Sequence, residues 1–227
     1  MTRPARPLSF GVIFDMDGVL IDSADAHWES WKRLGEENGL SITREQFAST
    51  FGRQSRDIIQ GLFGEKSSAA TRELSERKEL IYRDIIGANP PIVEGAAELV
   101  RSLRAAGAAL AIGSSGPRNN IDLVLRAIGV ADDFAAIVSA DDVTRGKPDP
   151  QVFELSARRL GLSPAQCIVI EDAPVGIQAA KAAGALAVAV LIYHPRSAFQ
   201  AADDAVERLS ELSVARLQAL ASASSSG

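Results

Sequence analysis

The sequence predicts an α/β fold: a Rossmann-like parallel sheet core with an inserted small α-helical cap domain. Three observations point there. From about residue 107 onward, short apolar runs alternate with segments of helical period. One more apolar run, residues 10–14, stands apart near the start of the chain. Between it and the later series, residues 22–91 read as helices only. The expected division is a core of residues 1–21 and 92–227, with residues 22–91 as the cap.

Taken in order, residues 10–14 form an apolar run that ends at a Gly-containing turn, which reads as a buried strand. Ser23 is placed to cap a helix carrying Trp28, Trp31 and Leu34. Thr43 to Gln46 fits a capping box, and Ser55 is placed to cap a helix with Ile58, Ile59 and Leu62. Leu74, Lys78, Ile81 and Ile85 share one face of a longer helix, and Pro90-Pro91 ends the run. Residues 108–112 read as the next strand. The spacing of Ile121, Val124, Leu125 and Ile128 gives a helix that Gly129 closes. Residues 134–138 form a strand, and a helix runs from Pro150 to Gly161. Residues 167–170 are a strand, 177–183 a helix ended by Gly184, and 186–191 a strand. This alternation means right-handed βαβ units and a parallel sheet. Residues 222–227 are small and polar and are expected to fray.

Composition limits the function. A net charge of −5 argues against a sequence-independent nucleic-acid binder. No stretch reaches the length of a membrane span. Arg3 and Arg6 precede no long apolar region, so no secretory signal and a cytoplasmic location are expected. A single cysteine, Cys167, allows no intrachain disulfide and reads as a small buried residue.

The chemistry is expected at one rim. Open parallel sheets bind ligands outside the carboxyl ends of their strands. Asp15 and Asp17 follow the first strand, Ser114 and Ser115 the second, and Glu171 and Asp172 the run at 167–170. Lys147 lies in the loop after the 134–138 strand. Carboxylates this close repel, which implies a cation or a shared proton. One carboxylate can attack phosphorus, and its neighbour two residues on can act as acid and base. Asp15-Met16-Asp17-Gly18 is not an EF-hand loop, because its glycine comes too early.

Four ordered motifs resemble the haloacid dehalogenase superfamily of phosphotransferases. They are Asp15-Met16-Asp17-Gly18, Ser114 after a strand, Lys147 in Gly146-Lys147-Pro148-Asp149-Pro150, and Glu171-Asp172 after a strand. The helical insert is similar to that family's small cap. The subgroup it resembles holds β-phosphoglucomutase and the phosphoglycolate- and sugar-phosphate-type phosphatases. The resemblance implies that Asp15 becomes an aspartyl phosphate and that Asp17 protonates the leaving oxygen and then activates the acceptor. It implies that Ser114 holds the transferring phosphoryl group and that Lys147 neutralises charge. It also implies a Mg²⁺ site made by Asp15, the Asp17 carbonyl, Asp172 and Glu171, the last directly or through water. The substrate is expected to be a small phosphorylated metabolite.

Cap and rim residues are candidate substrate contacts. His27 lies one turn before Trp31 and reads as either structural or substrate-facing. Arg56, with a one-residue shift, and Lys78 match cap residues that contact substrate in β-phosphoglucomutase. Ser115 and Arg118 lie near the start of the helix after Ser114, where a phosphate or solvent could meet them. A Mg²⁺-dependent phosphatase is the leading expectation. A phosphomutase is the alternative, weakened because Ser115-Gly116-Pro117-Arg118 lacks the Lys-Asn pair found at that turn in β-phosphoglucomutase. A non-catalytic binding module fits the intact motif set poorly.

Overall fold

The computed structural model describes residues 8, 10–50, 52–87 and 89–224. Arg3, Arg6 and residues 225–227 lie outside them. Strand β1 (Gly11–Phe14) leads into four helices, α1 (Ala24–Glu37), α2 (Arg44–Ala48), α3 (Ser55–Phe63) and α4 (Ser68–Ile86). Then come α5 (Ala96–Ala105), β2 (Ala109–Gly113), α6 (Arg118–Ile128), β3 (Ala136–Val138) and α7 (Gln151–Arg159). The chain finishes with β4 (Cys167–Glu171), α8 (Pro174–Ala183), β5 (Leu186–Val190), β6 (Asp204–Val206) and α9 (Val214–Ser224).

All six strands are parallel, in the order β3-β2-β1-β4-β5-β6, the order of a doubly wound Rossmann-like sheet. Phe14 is in register with Ile112 on one side and Ile170 on the other. Its neighbours β2 and β4 therefore run level with it, and β1 lies at the point where strand order reverses.

Because successive strand residues face opposite sides, each strand feeds two cores. Val12, Phe14, Ile112, Ile168 and Ile170 pack on one side with α5, α6 and Leu217 of α9. Ile13, Ala111, Val169 and Ala187 pack on the other with Phe153 of α7 and Ile177 of α8. The helical insert has an apolar cluster of its own, built on Trp31, Leu34, Phe47, Ile59 and Ile81. Leu74, Ile81 and Ile85 do share the inward face of α4, and Lys78 goes in with them. Two crossings join the insert to the sheet: Asp22 N donates to Pro91 O at 2.8 Å, and Val93 N donates to Leu20 O at 3.1 Å.

Three elements escaped the sequence reading: α5, β6 and α9. The expected fraying of 222–227 is corrected for residues 222–224, which finish α9. Leu217 anchors that helix in the core, and Arg216 pairs with Asp204 of β6 through both Nε and Nη2, at 2.7 and 2.8 Å. Ser23 and Ser55 do not cap as expected: neither hydroxyl bonds a helix N–H. Each serves a tertiary partner described below. Cys167 is buried, and burial pushes its thiol up to about 11. No helix among the described residues is long and apolar enough to cross a membrane.

Candidate active site

β1 delivers Asp15 to the sheet's carboxyl rim, where its amide donates to Ile170 O at 2.9 Å. The loop after β3 brings back Lys147, which is 3% exposed. Its Nζ donates to Asp15 Oδ1 at 2.9 Å and to Glu171 Oε1 at 2.7 Å. Phe153 lies beneath that ammonium, 4.9 Å from ring centre to Nζ. Burial pulls the Lys147 ammonium down, but Asp15 and Glu171 outweigh it and the net shift is upward. Asp15 is shifted upward as well, which for a carboxyl favours the neutral form. Burial raises it to about 7, helped by Glu171 and Asp17 and opposed by Lys147.

Glu171 and Asp172 complete the cluster from the end of β4. One oxygen from each of Asp15, Glu171 and Asp172 lies within 4.8 Å of the others. Burial, with the charges of Glu171 and Asp15, raises Asp172 well above its usual value. Asp172 Oδ2 is buried with no hydrogen-bond partner among the described residues, so one hard oxygen is desolvated and uncompensated. Two glycines make the room. A Cβ on Gly18, whose φ is +75°, would meet Asp172 Oδ2 at 1.8 Å, and one on Gly176 would meet Glu171 Oε1 at 1.7 Å. Clustered carboxylates with an orphaned oxygen fit a hard divalent cation.

Asp17 sits on the insert side of Asp15. Its Oδ1 accepts from Ser23 Oγ at 2.6 Å and from Tyr82 Oη at 3.3 Å, and it lies 3.0 Å from His27 Nε2. Lys78 Nζ, 2%-exposed, is 2.8 Å from His27 Nδ1. An ammonium only donates, so His27 accepts at Nδ1 and gives its Nε2–H to Asp17. The ring stacks on Tyr82 with centroids 4.1 Å apart. Burial alone would raise Asp17, but His27, Ser23 and Lys78 outweigh it and hold the carboxyl at about 2.

Ser114 is buried at the end of β2. Its Oγ accepts from Gly116 N at 3.0 Å, and a Cβ on that glycine would lie 3.4 Å from Ser114 Oγ and 3.9 Å from Asp17 Oδ2. Ser115 Oγ donates across to Gly52 O in the insert at 2.8 Å. A cavity of about 60 Å³ lies among these groups, lined by Asp15, Asp17 and Asp172 on the core side and His27, Lys78 and Arg53 on the insert side.

Two expected substrate contacts lie elsewhere. Arg56 does not line this cavity; its Nη2 donates to Thr144 O at 2.6 Å, and the side chain borders an adjoining groove that shares Ser55, Glu79 and Ser115 with it. Arg118 is held by Asp122 at 2.8 Å, one helical turn on, and is also outside the cavity. Four residues that sequence reasoning did not assign to the site also stand at it: Ser23, Arg53, Glu79 and Tyr82. Ser23 read as a helix cap, and Glu79 follows a lysine on an amphipathic helix, the pattern of a solvated face. Arg53 follows Gly52 in the loop before α3, a position with no chemical signature.

The family model for haloacid dehalogenase-like hydrolases matches residues 11–184. β-Phosphoglucomutase of Bacillus subtilis is 34% identical over 187 residues, 79% of this chain and 82% of its own. Validoxylamine A 7'-phosphate phosphatase of Streptomyces hygroscopicus subsp. limoneus is 32% identical over 88% of this chain and 94% of its own. Among solved structures, β-phosphoglucomutase from Clostridium difficile superposes with a TM-score of 0.85 at 27% identity, over 96% of this chain and 99% of that one.

Proposed function

Because this chain belongs to the haloacid dehalogenase-like hydrolase family and is a phosphatase or a phosphomutase, we propose that it is a Mg²⁺-dependent phosphatase of a small phosphorylated metabolite that works through an aspartyl phosphate on Asp15. The observation that carries the reading is the ammonium of Lys147 pinned between Asp15 and Glu171, beside the orphaned oxygen of Asp172. A phosphoryl dianion cannot approach bare carboxylates, and this cluster is built to be neutralised.

Asp15, the Asp17 backbone carbonyl, Asp172 and Glu171 would hold Mg²⁺, which supplies positive charge to the phosphoryl oxygens when bound. The carboxylate of Asp15 attacks phosphorus, and the bond from phosphorus to the leaving oxygen breaks. Lys147 opposes the burial that raises Asp15 and so favours the anion that attacks, and Ser114 donates to a phosphoryl oxygen. Asp17 gives its proton to the leaving oxygen, and in the second step takes one from the water that attacks phosphorus as the bond from phosphorus to Asp15 breaks, releasing phosphate and restoring the Asp15 carboxylate. Its hydrogen bonds keep Asp17 ionised in the resting site. The proton it donates is therefore acquired as the phosphate arrives and adds negative charge beside it.

We also propose that residues 22–91 act as a moving cap. A cavity of about 60 Å³ is far below the roughly 300–1,000 Å³ of ordinary ligand pockets, so a phosphorylated sugar needs the insert to withdraw. A phosphomutase must hold a second phosphate on the cap side. The outward placement of Arg56 and the pairing of Arg118 with Asp122 speak for water as the acceptor. Arg53 on the cavity wall is the group a mutase would use. The test is phosphate release across phosphorylated metabolites, with and without Mg²⁺, beside an isomerisation assay on β-glucose 1-phosphate. Isomerisation outrunning phosphate release would make the protein a mutase.

A further inference from the structure

Asn120 is an amide where α6 otherwise buries apolar side chains. It is 1% exposed, beside Ile121 and Val124 on the inward face. Both ends of its amide are used, and both partners belong to the insert. Nδ2 donates to Glu79 Oε2 at 2.7 Å, and Oδ1 accepts from Arg83 Nη1 at 2.9 Å. Glu79 is 7% exposed, and its other oxygen accepts from Ser55 Oγ at 2.7 Å and Lys78 Nζ at 3.1 Å. One buried carboxylate thus ties α3 and α4 of the insert to α6 of the core. Burial would raise Glu79, but Lys78, His27, Ser55 and Asn120 outweigh it and keep the carboxyl below its usual value.

These contacts extend a line that starts at Asp17. It runs from Asp17 to His27 at 3.0 Å, to Lys78 at 2.8 Å, to Glu79 at 3.1 Å and to Asn120 at 2.7 Å. Both ends, Asp17 and Asn120, stand on the core. The three middle members stand on the insert. The line is complete only when the insert is docked, and docking at the Asn120 end fixes where His27 meets Asp17.

We infer that Glu79 and Asn120 form a latch that holds the insert closed over the Asp15 site, with Glu79 the positioning residue that sets Lys78 and His27 on Asp17. The inference rests on the moving cap and on the role of Asp17 given above. In the open state Glu79, Arg83 and Asn120 reach water, so closing exchanges solvent bonds for protein bonds and stays reversible. Its strength comes from the charged acceptor, whose hydrogen bonds are the stronger kind.

The pairing can be exchanged. In Glu79→Gln, the amide must turn a donor toward either Asn120 or the Ser55–Lys78 pair, so one junction is lost. In Asn120→Asp, a second carboxylate faces Glu79. With both changes, the Gln amide donates to the Asp carboxylate, which still accepts from Arg83. On the best phosphometabolite, each single variant should lose about tenfold in kcat/KM, mostly through KM, and the double variant should recover most of it. Small-angle scattering of the Mg²⁺-loaded proteins should show Asn120→Asp more extended than the parent and the double variant compact again. Folded single variants with parental KM and scattering would overturn the latch, as would a double variant no better than the worse single. If Asn120→Asp does not fold, Asn120→Ala carries the same expectation at smaller amplitude and the same refutation. A still-active Asp15→Asn enzyme would remove the covalent reading and leave the scattering result to judge the latch alone.

Discussion

Lys147 is the residue whose removal the structure prices most clearly. Lys147→Met keeps an unbranched stem over Phe153 and deletes only the ammonium. Asp15 and Glu171, both buried, are then left without their shared cation. Breaking a buried ion pair from one side costs about 3–5 kcal/mol. For a chain of this size each kcal/mol moves Tm by about 2–4 °C, so the metal-free protein should melt roughly 6–20 °C lower at pH about 8. Two features separate this from a packing defect. Without the ammonium, Asp15 takes up a proton in the fold at higher pH than before, whereas in the unfolded chain it stays ionised down to the ordinary aspartate range. The deficit should therefore shrink as pH falls toward 6. Adding Asp15→Asn removes one of the two unpaired charges and should return part of the lost stability. The assay is differential scanning calorimetry in chelator, across pH, on the two single variants and the double. A parental Tm for Lys147→Met at pH 8, or a deficit indifferent to pH and to Asp15→Asn, would refute the electrostatic account.

Asp17→Asn should slow turnover by about 10²–10⁴ on a poor leaving group, since an amide neither gives nor takes the proton. Its first step should be partly rescued with p-nitrophenyl phosphate; equal losses on good and poor leaving groups would make Asp17 structural. EDTA should silence the enzyme, and Asp172→Ala should raise the Mg²⁺ it needs. In chelator the same substitution should stabilise the fold by about 1–3 kcal/mol, because it deletes a buried oxygen with no partner. A lower melting temperature in chelator would contradict that. Arg216→Gln should cost at most about 1 kcal/mol, because the pair with Asp204 is partly exposed. The Arg216 bond holds Asp204 below its usual value, so this contribution is present at neutral pH and fades as pH falls into the acid range; a loss that persists at low pH would point to packing instead.

The sheet and its rim were legible in the sequence because one physical rule covers both. Buried parallel strands are apolar until their ends, so the first polar residues met along them mark their carboxyl ends, and Asp15, Ser114 and Glu171 fall there. The elements that escaped lack such signals. β6 has three residues and opens on Asp204. α5 starts from Gly95 at φ +86° with no side-chain cap. In α9 a single leucine, Leu217, is fully buried. The insert side of the site was the hardest to read, because its polar side chains answer to partners distant in sequence. Ser23 and Ser55 resemble caps until Asp17 and Glu79 take their hydroxyls, 6 and 24 positions away. Arg56 reads as a substrate contact by its local motif, while its hydrogen bond goes to Thr144, 88 positions on. The buried Glu79 has no local signature, because its partner Asn120 lies 41 residues downstream.

The most direct test of the central claim is to trap the phosphoryl group. The protein is mixed with a turned-over phosphometabolite and Mg²⁺, quenched in acid within a turnover, digested and examined by mass spectrometry. The expected result is a phosphoryl adduct on Asp15 that hydroxylamine removes, and no turnover from a folded Asp15→Asn variant. Normal phosphate release by that variant, or a phosphoryl group on any other residue, would contradict it.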